Sequence, residues 1–317
     1  MIYEKVYLVF GFWLCLGAFG LKANAAVNLI PVATMNGSSI LELRPKEPVD
    51  FRIRFQDHDT GIFQTKFNML HMKPMHMVIV KSDLSAFAHV HPSLPMSMPM
   101  PMNRTRTESM VHGEFQISLN QASTDPDNQA ALNALSEPGK YYVYMEVSPD
   151  IGNVYRRPLT RTVNIEVSGN SVHQPLKETP QGAQGERVVY FGKNFRGRLL
   201  HDATPGCQSQ FNRFEFSLDQ WDEIKGGYLP VTNFESWLMM PGHMILISEA
   251  GQTADTKKFI HLHAEPDPLH SYLTFYGFDG GEWPVGLMKL WVQVKVMDEV
   301  LTAPFTIDYR PDLTGGC

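Results

Sequence analysis

Pro74-Met75-His76-Met77-Val78-Ile79-Val80 runs, after a short polar loop, into Phe87-Ala88-His89-Val90-His91, and further along Pro241-Gly242-His243-Met244-Ile245-Leu246-Ile247 runs into Phe259-Ile260-His261-Leu262-His263. Each copy is an apolar run opened by a histidine, a polar loop of hairpin character, and a second apolar run carrying His-x-His. Side chains alternate between the two faces of a strand, so a spacing of two puts both imidazoles of His-x-His on one face. The pattern predicts a β-hairpin with a histidine face, and its recurrence predicts two copies of one β-domain.

The same alternation extends outward from both hairpins. In the first half it marks Ile40 to Leu43, Val49 to Phe55, Phe115 to Leu119, Tyr141 to Val147 and Thr160 to Val167. In the second it marks Arg187 to Phe191, Arg213 to Ser217, Tyr272 to Phe278, Met288 to Met297 and Leu301 to Tyr309. The repeat also reaches past the histidines, because the strand from Gly139 to Val147 follows the first hairpin as the strand from Gly286 to Val294 follows the second. Short recurrent strands with few helical segments predict an all-β chain of two tandem antiparallel β-sandwiches of immunoglobulin or cupredoxin-like topology. Internal duplication is the simplest origin, two copies being too few for a solenoid. One short helix is expected within Ala122 to Leu135, with Pro126 near its start, as a decoration of the first sandwich.

The opening residues carry Lys5, an apolar run from Val6 to Leu21, and Ala23-Asn24-Ala25 ahead of Ala26, the small-x-small pattern of a secretory signal peptide. The apolar run is short for a membrane span of about 20 residues. The expected organisation is therefore a signal peptide over 1–25, a first sandwich over 26–168, a Ser-, Gln-, Pro- and Gly-bearing linker over 169–185, and a second sandwich over 186–317. Such a protein would be periplasmic or secreted, with no membrane span after cleavage. Removing residues 1–25 leaves 25 basic against 32 acidic residues, which argues against a nucleic-acid partner. Of three cysteines in the whole chain, Cys207 and Cys317 remain, an even number that permits a disulfide in an oxidising compartment or leaves two unpaired thiols.

Neutral imidazole is a common ligand for copper and zinc, and His-x-His on one strand with a third histidine on its neighbour can converge on one ion. The candidate ligands are His76, His89 and His91 in the first copy and His243, His261 and His263 in the second. Soon after His91 comes Met96-Ser97-Met98-Pro99-Met100-Pro101-Met102. Its prolines hold the stretch extended, so Met96, Met98, Met100 and Met102 would display thioethers, the soft donors that select Cu(I). The same methionines could instead pack on an irregular surface or on a partner. His58, His71 and His112 read as turn or surface residues, and Glu265 and Asp267 as solvated or ligand-orienting carboxylates. No cysteine accompanies the histidines, which disfavours a blue-copper centre. The chain has no nucleophile elbow, zinc-protease helix or phosphate-binding glycine loop, so an enzyme is not expected.

Lys73-Pro74-Met75-His76-Met77, together with Asp83-Leu84-Ser85-Ala86-Phe87-Ala88-His89-Val90-His91-Pro92, resembles the signature of bacterial YtkA-like secreted proteins, and Thr302-Ala303-Pro304-Phe305-Thr306-Ile307 resembles the closing strand of their second domain. The resemblance covers most of the chain beyond residue 25 and implies exported sandwiches associated with copper or other heavy-metal handling. Two departures stand out: Ala264 replaces the proline that follows the first His-x-His, and the second hairpin loop is longer. The methionine-rich stretch is similar, in composition only, to loops of periplasmic copper-resistance proteins. The expected function is copper sequestration or delivery, Cu(I) or Cu(II), with zinc as the other candidate ion and an envelope or metal-trafficking protein as partner. A rival expectation is an interaction module whose histidines are structural and whose Met-Pro loop docks on an envelope protein. Another is a metal-dependent enzyme with a three-histidine site.

Overall fold

The computed structural model describes residues 28–92, 113–151, 158–203, 212–250, 258–265, 271–277 and 283–310. Within these the period-two runs are strands and the fold is all-β. The first half comprises β1 (Leu29–Met35), β2 (Glu42–Leu43), β3 (Val49–Asp57), β4 (Phe63–Gln64), β5 (Phe67–Asn68), β6 (Met75–Lys81), β7 (Phe87–Val90), β8 (Glu114–Leu119), α1 (Pro126–Ala134), β9 (Gly139–Pro149) and β10 (Leu159–Val167). The second comprises β11 (Arg187–Phe191), β12 (Phe195–Ala203), β13 (Asn212–Asp222), β14 (Gly227–Pro230), β15 (Gly242–Ser248), β16 (Phe259–Glu265), β17 (Leu273–Gly277), β18 (Gly286–Val296) and β19 (Glu299–Tyr309).

In the first half β3 pairs with β1, β4 and β8, and this sheet faces a second in the order β2-β10-β9-β6-β7, with β5 added to β9. Between them lie Phe51, Phe55, Phe67, Phe115, Tyr141, Val143 and Met145. The second half is one nine-stranded sheet ordered β11-β12-β13-β17-β16-β15-β18-β19, with β14 added to β13. It folds over a core that includes Phe214, Phe216, Phe275, Leu290, Val292 and Phe305. Long strands pair antiparallel, while the two-residue β2 runs parallel to β10.

Strands with one wet face alternate as expected: β8 reads intermediate, buried, intermediate, buried along Glu114–Leu119. By contrast, β6 and β15 are buried at all seven positions. Their two faces serve different cores. Met75, Met77 and Ile79 point into the first sandwich, and Met244 and Leu246 into the second. Val78 and Val80 meet Ile245 and Ile247 in a separate cluster that also holds Leu84, Tyr142, Tyr144 and Trp291. The two sandwiches thus pack sheet against sheet through the histidine hairpins.

That packing is reciprocal. Tyr144 stands opposite Val78 in the first sheet, as Trp291 stands opposite Ile245 in the second. Phe87 of one half stacks on Trp291 of the other at 4.4 Å and 10°, and Phe259 stacks on Tyr144 at 4.9 Å and 10°. Each aromatic removed from water here contributes roughly 1.5–3 kcal/mol of burial. Residues 169–185 form a strap between the halves. Gln174 N–H donates to Asp83 Oδ2, Thr179 N–H donates to the Thr306 carbonyl, and Leu176 packs on the shared cluster.

The helix starts at Pro126, with Asp125 accepting from the N–H groups of Asp127 and Asn128, a proline-first, aspartate-capped start that the sequence signals. β1 and β12 escaped the alternation reading for physical reasons. Pro31 interrupts β1, which tolerates it because it is an edge strand pairing only with β3. Gly197 interrupts β12, where an added Cβ would come 3.0 Å from the Phe216 ring. Residues 1–25, Met96, Met98, Met100, Met102, His112, Cys207, Asp267 and Cys317 lie outside the described residues. No described helix is long and apolar enough to cross a membrane.

Candidate metal centre

His76 sits at the second position of β6, and His89 and His91 follow on β7 and just beyond its end, on the face that carries Val78 and Phe87. His243 and the pair His261 and His263 occupy the matching places on β15 and β16, where His243 stands directly opposite His263. In each set of three the closest ring nitrogens lie within 4.8 Å of one another. Both sets use the face turned toward the other sandwich, so they meet. His76 and His261 are 5.4 Å apart by ring centroids, His89 and His261 5.2 Å, and His89 and His243 5.6 Å. Those separations match the 4.6–5.5 Å found inside the sets. The two predicted sets therefore lie side by side at the junction of the halves and form one continuous cluster of six histidines.

Hydrogen bonds fix which ring nitrogens are free. His76 Nε2 donates to the Leu70 carbonyl at 3.0 Å, which leaves His76 Nδ1 with its lone pair. His89 Nδ1 donates to Gln293 Oε1 at 2.8 Å, while the Gln293 amide donates to Thr302 Oγ1, so His89 Nε2 also carries a lone pair. These two acceptors face each other at 3.2 Å. In these tautomers no proton lies between them, and a cation in the gap would satisfy both lone pairs. Ligands about 2.0 Å from a tetrahedral ion are separated by about 3.3 Å, so this spacing already suits one.

Two more of the imidazoles are braced, by carboxylates. His91 Nδ1 lies 3.0 Å from Asp127 Oδ2 on α1, and His261 Nδ1 lies 2.6 Å from Glu146 Oε2 on β9. Carboxylate-braced imidazoles present the opposite nitrogen to a metal with a set orientation and raised basicity. That nitrogen, Nε2, is buried and unpartnered in both His91 and His261, as are Nε2 of His263 and both nitrogens of His243. Buried polar atoms are ordinarily satisfied, and five unpartnered nitrogens gather here, where they could hold an ion. The braces cross the interface: Glu146 of the first half orients His261 of the second, and Gln293 of the second orients His89 of the first.

Burial keeps these rings neutral and ready to ligate. Loss of hydration, reinforced by the neighbouring imidazoles, pulls His76 down to about 2, His263 to about 2 and His261 to about 3, and holds His89 and His243 well below the usual histidine range. The same burial pushes the Glu146 carboxyl up to about 7, against the pull of His76 and His71. Glu146, half-buried, faces the cluster from β9, so its charge would be stabilised by an incoming cation.

Two tight turns close over the cluster. Leu70 and Lys73 pair through both backbone hydrogen bonds, with His71 at φ 45° and Met72 at φ 69° between them. Trp237 and Met240 pair likewise, with Leu238 at φ 54° and Met239 at φ 70°. Left-handed backbone at non-glycine residues costs on the order of 1 kcal/mol each, a strain met most often at functional sites. From the first turn His71 reaches across to His263, at 4.0 Å between ring centroids. From the second, Trp237 packs against His89, His91 and His243 at 5.6, 5.7 and 4.8 Å. An open cavity of about 1200 Å³ runs along the junction on this side, lined by His89, His91, Asp127, Trp237, Leu238 and Gln293 among others.

All six predicted histidine ligands lie in the cluster. His71 sits in a turn, as expected, but its ring joins the site. His58 bonds to Asp59 at the surface, and Glu265 is exposed. The short helix carries Asp127 to His91 and so does more than decorate. Sequence reading missed Glu146 and Gln293, though both stand seven residues after the glycine that opens their strands, polar residues in otherwise apolar runs. Among known families, a domain of unknown function, DUF8832, matches residues 200–310, a span that contains the second histidine set. No curated protein matches the chain.

Proposed function

We propose that this protein is an exported copper-binding protein that sequesters or delivers the ion through the histidines at the junction of its two sandwiches. The observation that carries the reading is the facing pair of His76 Nδ1 and His89 Nε2, set among buried, unpartnered imidazole nitrogens, two of them on rings that carboxylates brace. Imidazole serves Cu(II) and zinc alike. The methionines between residues 96 and 102 supply, a few residues after His91, the thioethers that favour Cu(I), and this combination points to copper. The signal-peptide pattern over residues 1–25 and the motif resemblance to YtkA-like secreted proteins support export. Binding rather than turnover fits a chain without a recognisable catalytic motif.

The test is titration of the purified protein with Cu(II), then with Cu(I) under reductant, in competition with a chelator of known affinity. Tight binding at neutral pH is expected, and it should weaken by more than about 100-fold in the His89→Ala/His91→Ala double variant, since loss of supporting residues alone costs 10–100-fold. Unchanged affinity in that variant, or no binding above a histidine-free control, overturns the reading.

A further inference from the structure

The two halves of the cluster are built from the same three histidines but are capped differently. At the third position of the hairpin turns, counting back from the paired prolines Pro74 and Pro241, the first half has His71 and the second has Leu238. His71 crosses the interface and its ring stands against His263, beside the three imidazoles whose nitrogens already lie within 4.8 Å of one another. Leu238, at the matching place, brings no donor to His76, His89 and His91. There the cap is the Trp237 indole, whose ring lies against His89 and His91. The cavity along the junction opens beside the same two histidines, with both Trp237 and Leu238 in its wall.

Four protein ligands close a metal site, whereas three leave a position for an outside ligand. We propose that the junction holds two ions in unequal coordination: one closed by His71, His243, His261 and His263, and one on His76, His89 and His91 with a position open to the cavity. That open position takes a small monodentate donor such as water, hydroxide or a small anion. The inference rests on the metal-binding reading and adds number, inequality and access to it.

Cu(II) and azide test it in the purified protein. The wild type should bind two Cu(II), and azide should then perturb the absorption of one of them, saturating at one azide per protein. Leu238→His supplies the missing imidazole and should abolish the azide response while two Cu(II) still bind. His71→Leu opens the other half and should raise the azide stoichiometry to two; His71→Asn, which accepts a left-handed backbone, replaces it should the leucine variant fail to fold. One Cu(II) per protein, equal response of both coppers in the wild type, or an unaltered azide stoichiometry in both variants overturns the proposal while leaving metal binding intact. Absence of Cu(II) binding in the wild type is read first and refutes the metal-binding reading itself.

Discussion

Position 146 of the first sandwich is a glutamate and the matching position 293 of the second is a glutamine, though each does the same geometric work, holding the middle histidine of the opposite half by its Nδ1. The turns differ in the same sense: His71 on one side, Leu238 and Trp237 on the other. The halves are duplicates where they pack and distinct where they would touch an ion. The apolar side of the junction keeps near-symmetric stacks, Phe87 on Trp291 and Tyr144 on Phe259. Packing demands only volume and shape, so it tolerates a common solution in both copies. Coordination depends on the identity of single donors, and there the copies have diverged.

The largest effect expected is that of acid on the metal-free protein. Folding holds six of the seven cluster histidines, His71, His76, His89, His243, His261 and His263, below their ordinary value near 6.5. Below that pH the unfolded chain takes up protons that the fold excludes, so stability falls as pH falls, by up to about 1.4 kcal/mol per pH unit for each group. Glu146 acts in the opposite direction: its carboxyl is raised, so its contribution is present below about 4.5 and is lost as pH rises through about 7. Six groups outweigh one. Thermal melts should show a steep loss of stability between pH 6.5 and 5, and a flat profile there would contradict the burial of these rings.

Loss of a stacked aromatic from the shared face ranks second. Trp291→Ala should cost about 3–5 kcal/mol in denaturant unfolding, and Tyr144→Ala a similar amount, because each removes a stacked aromatic buried between the halves. If either unfolds as the wild type does, the halves do not pack through this face.

The asymmetric part is sharpened by the braces. Glu146→Gln makes the two halves alike and should weaken copper binding by about 10-fold, at the low end of what lost supporting contacts cost, because an amide still holds His261. Gln293→Glu should move affinity the other way. Equal affinities across all three proteins would show that the braces only fix geometry. The smallest effect belongs to the turns: Met72→Gly and Met239→Gly, at φ 69° and 70°, should each change stability by less than about 1 kcal/mol, relief of strain being partly offset by the entropy glycine adds to the unfolded chain.

Much of this was legible in the chain. The period-two runs located the principal strands, and the doubled His-x-His located all six core imidazoles, because both follow from the alternation of a strand. What alternation cannot report is which surface covers a strand's second face. The signal was nonetheless in the residues: Val78 and Val80, with Ile245 and Ile247, make β6 and β15 apolar on both faces, as only doubly covered strands are. The meeting of the two sets follows from that cover. Asp127 was hidden for a different reason, since its role depends on where α1 lies against β7. His71 could be read only as a turn residue until the opposite sandwich was placed beside it.

The central claim is that copper sits between the sandwiches with ligands from both. A crystal grown with copper and measured at the copper absorption edge tests it directly. The account predicts anomalous density between β6–β7 and β15–β16, bonded to imidazoles of both halves. Density confined to the methionine stretch or to surface histidines such as His58, with the junction empty, would contradict it.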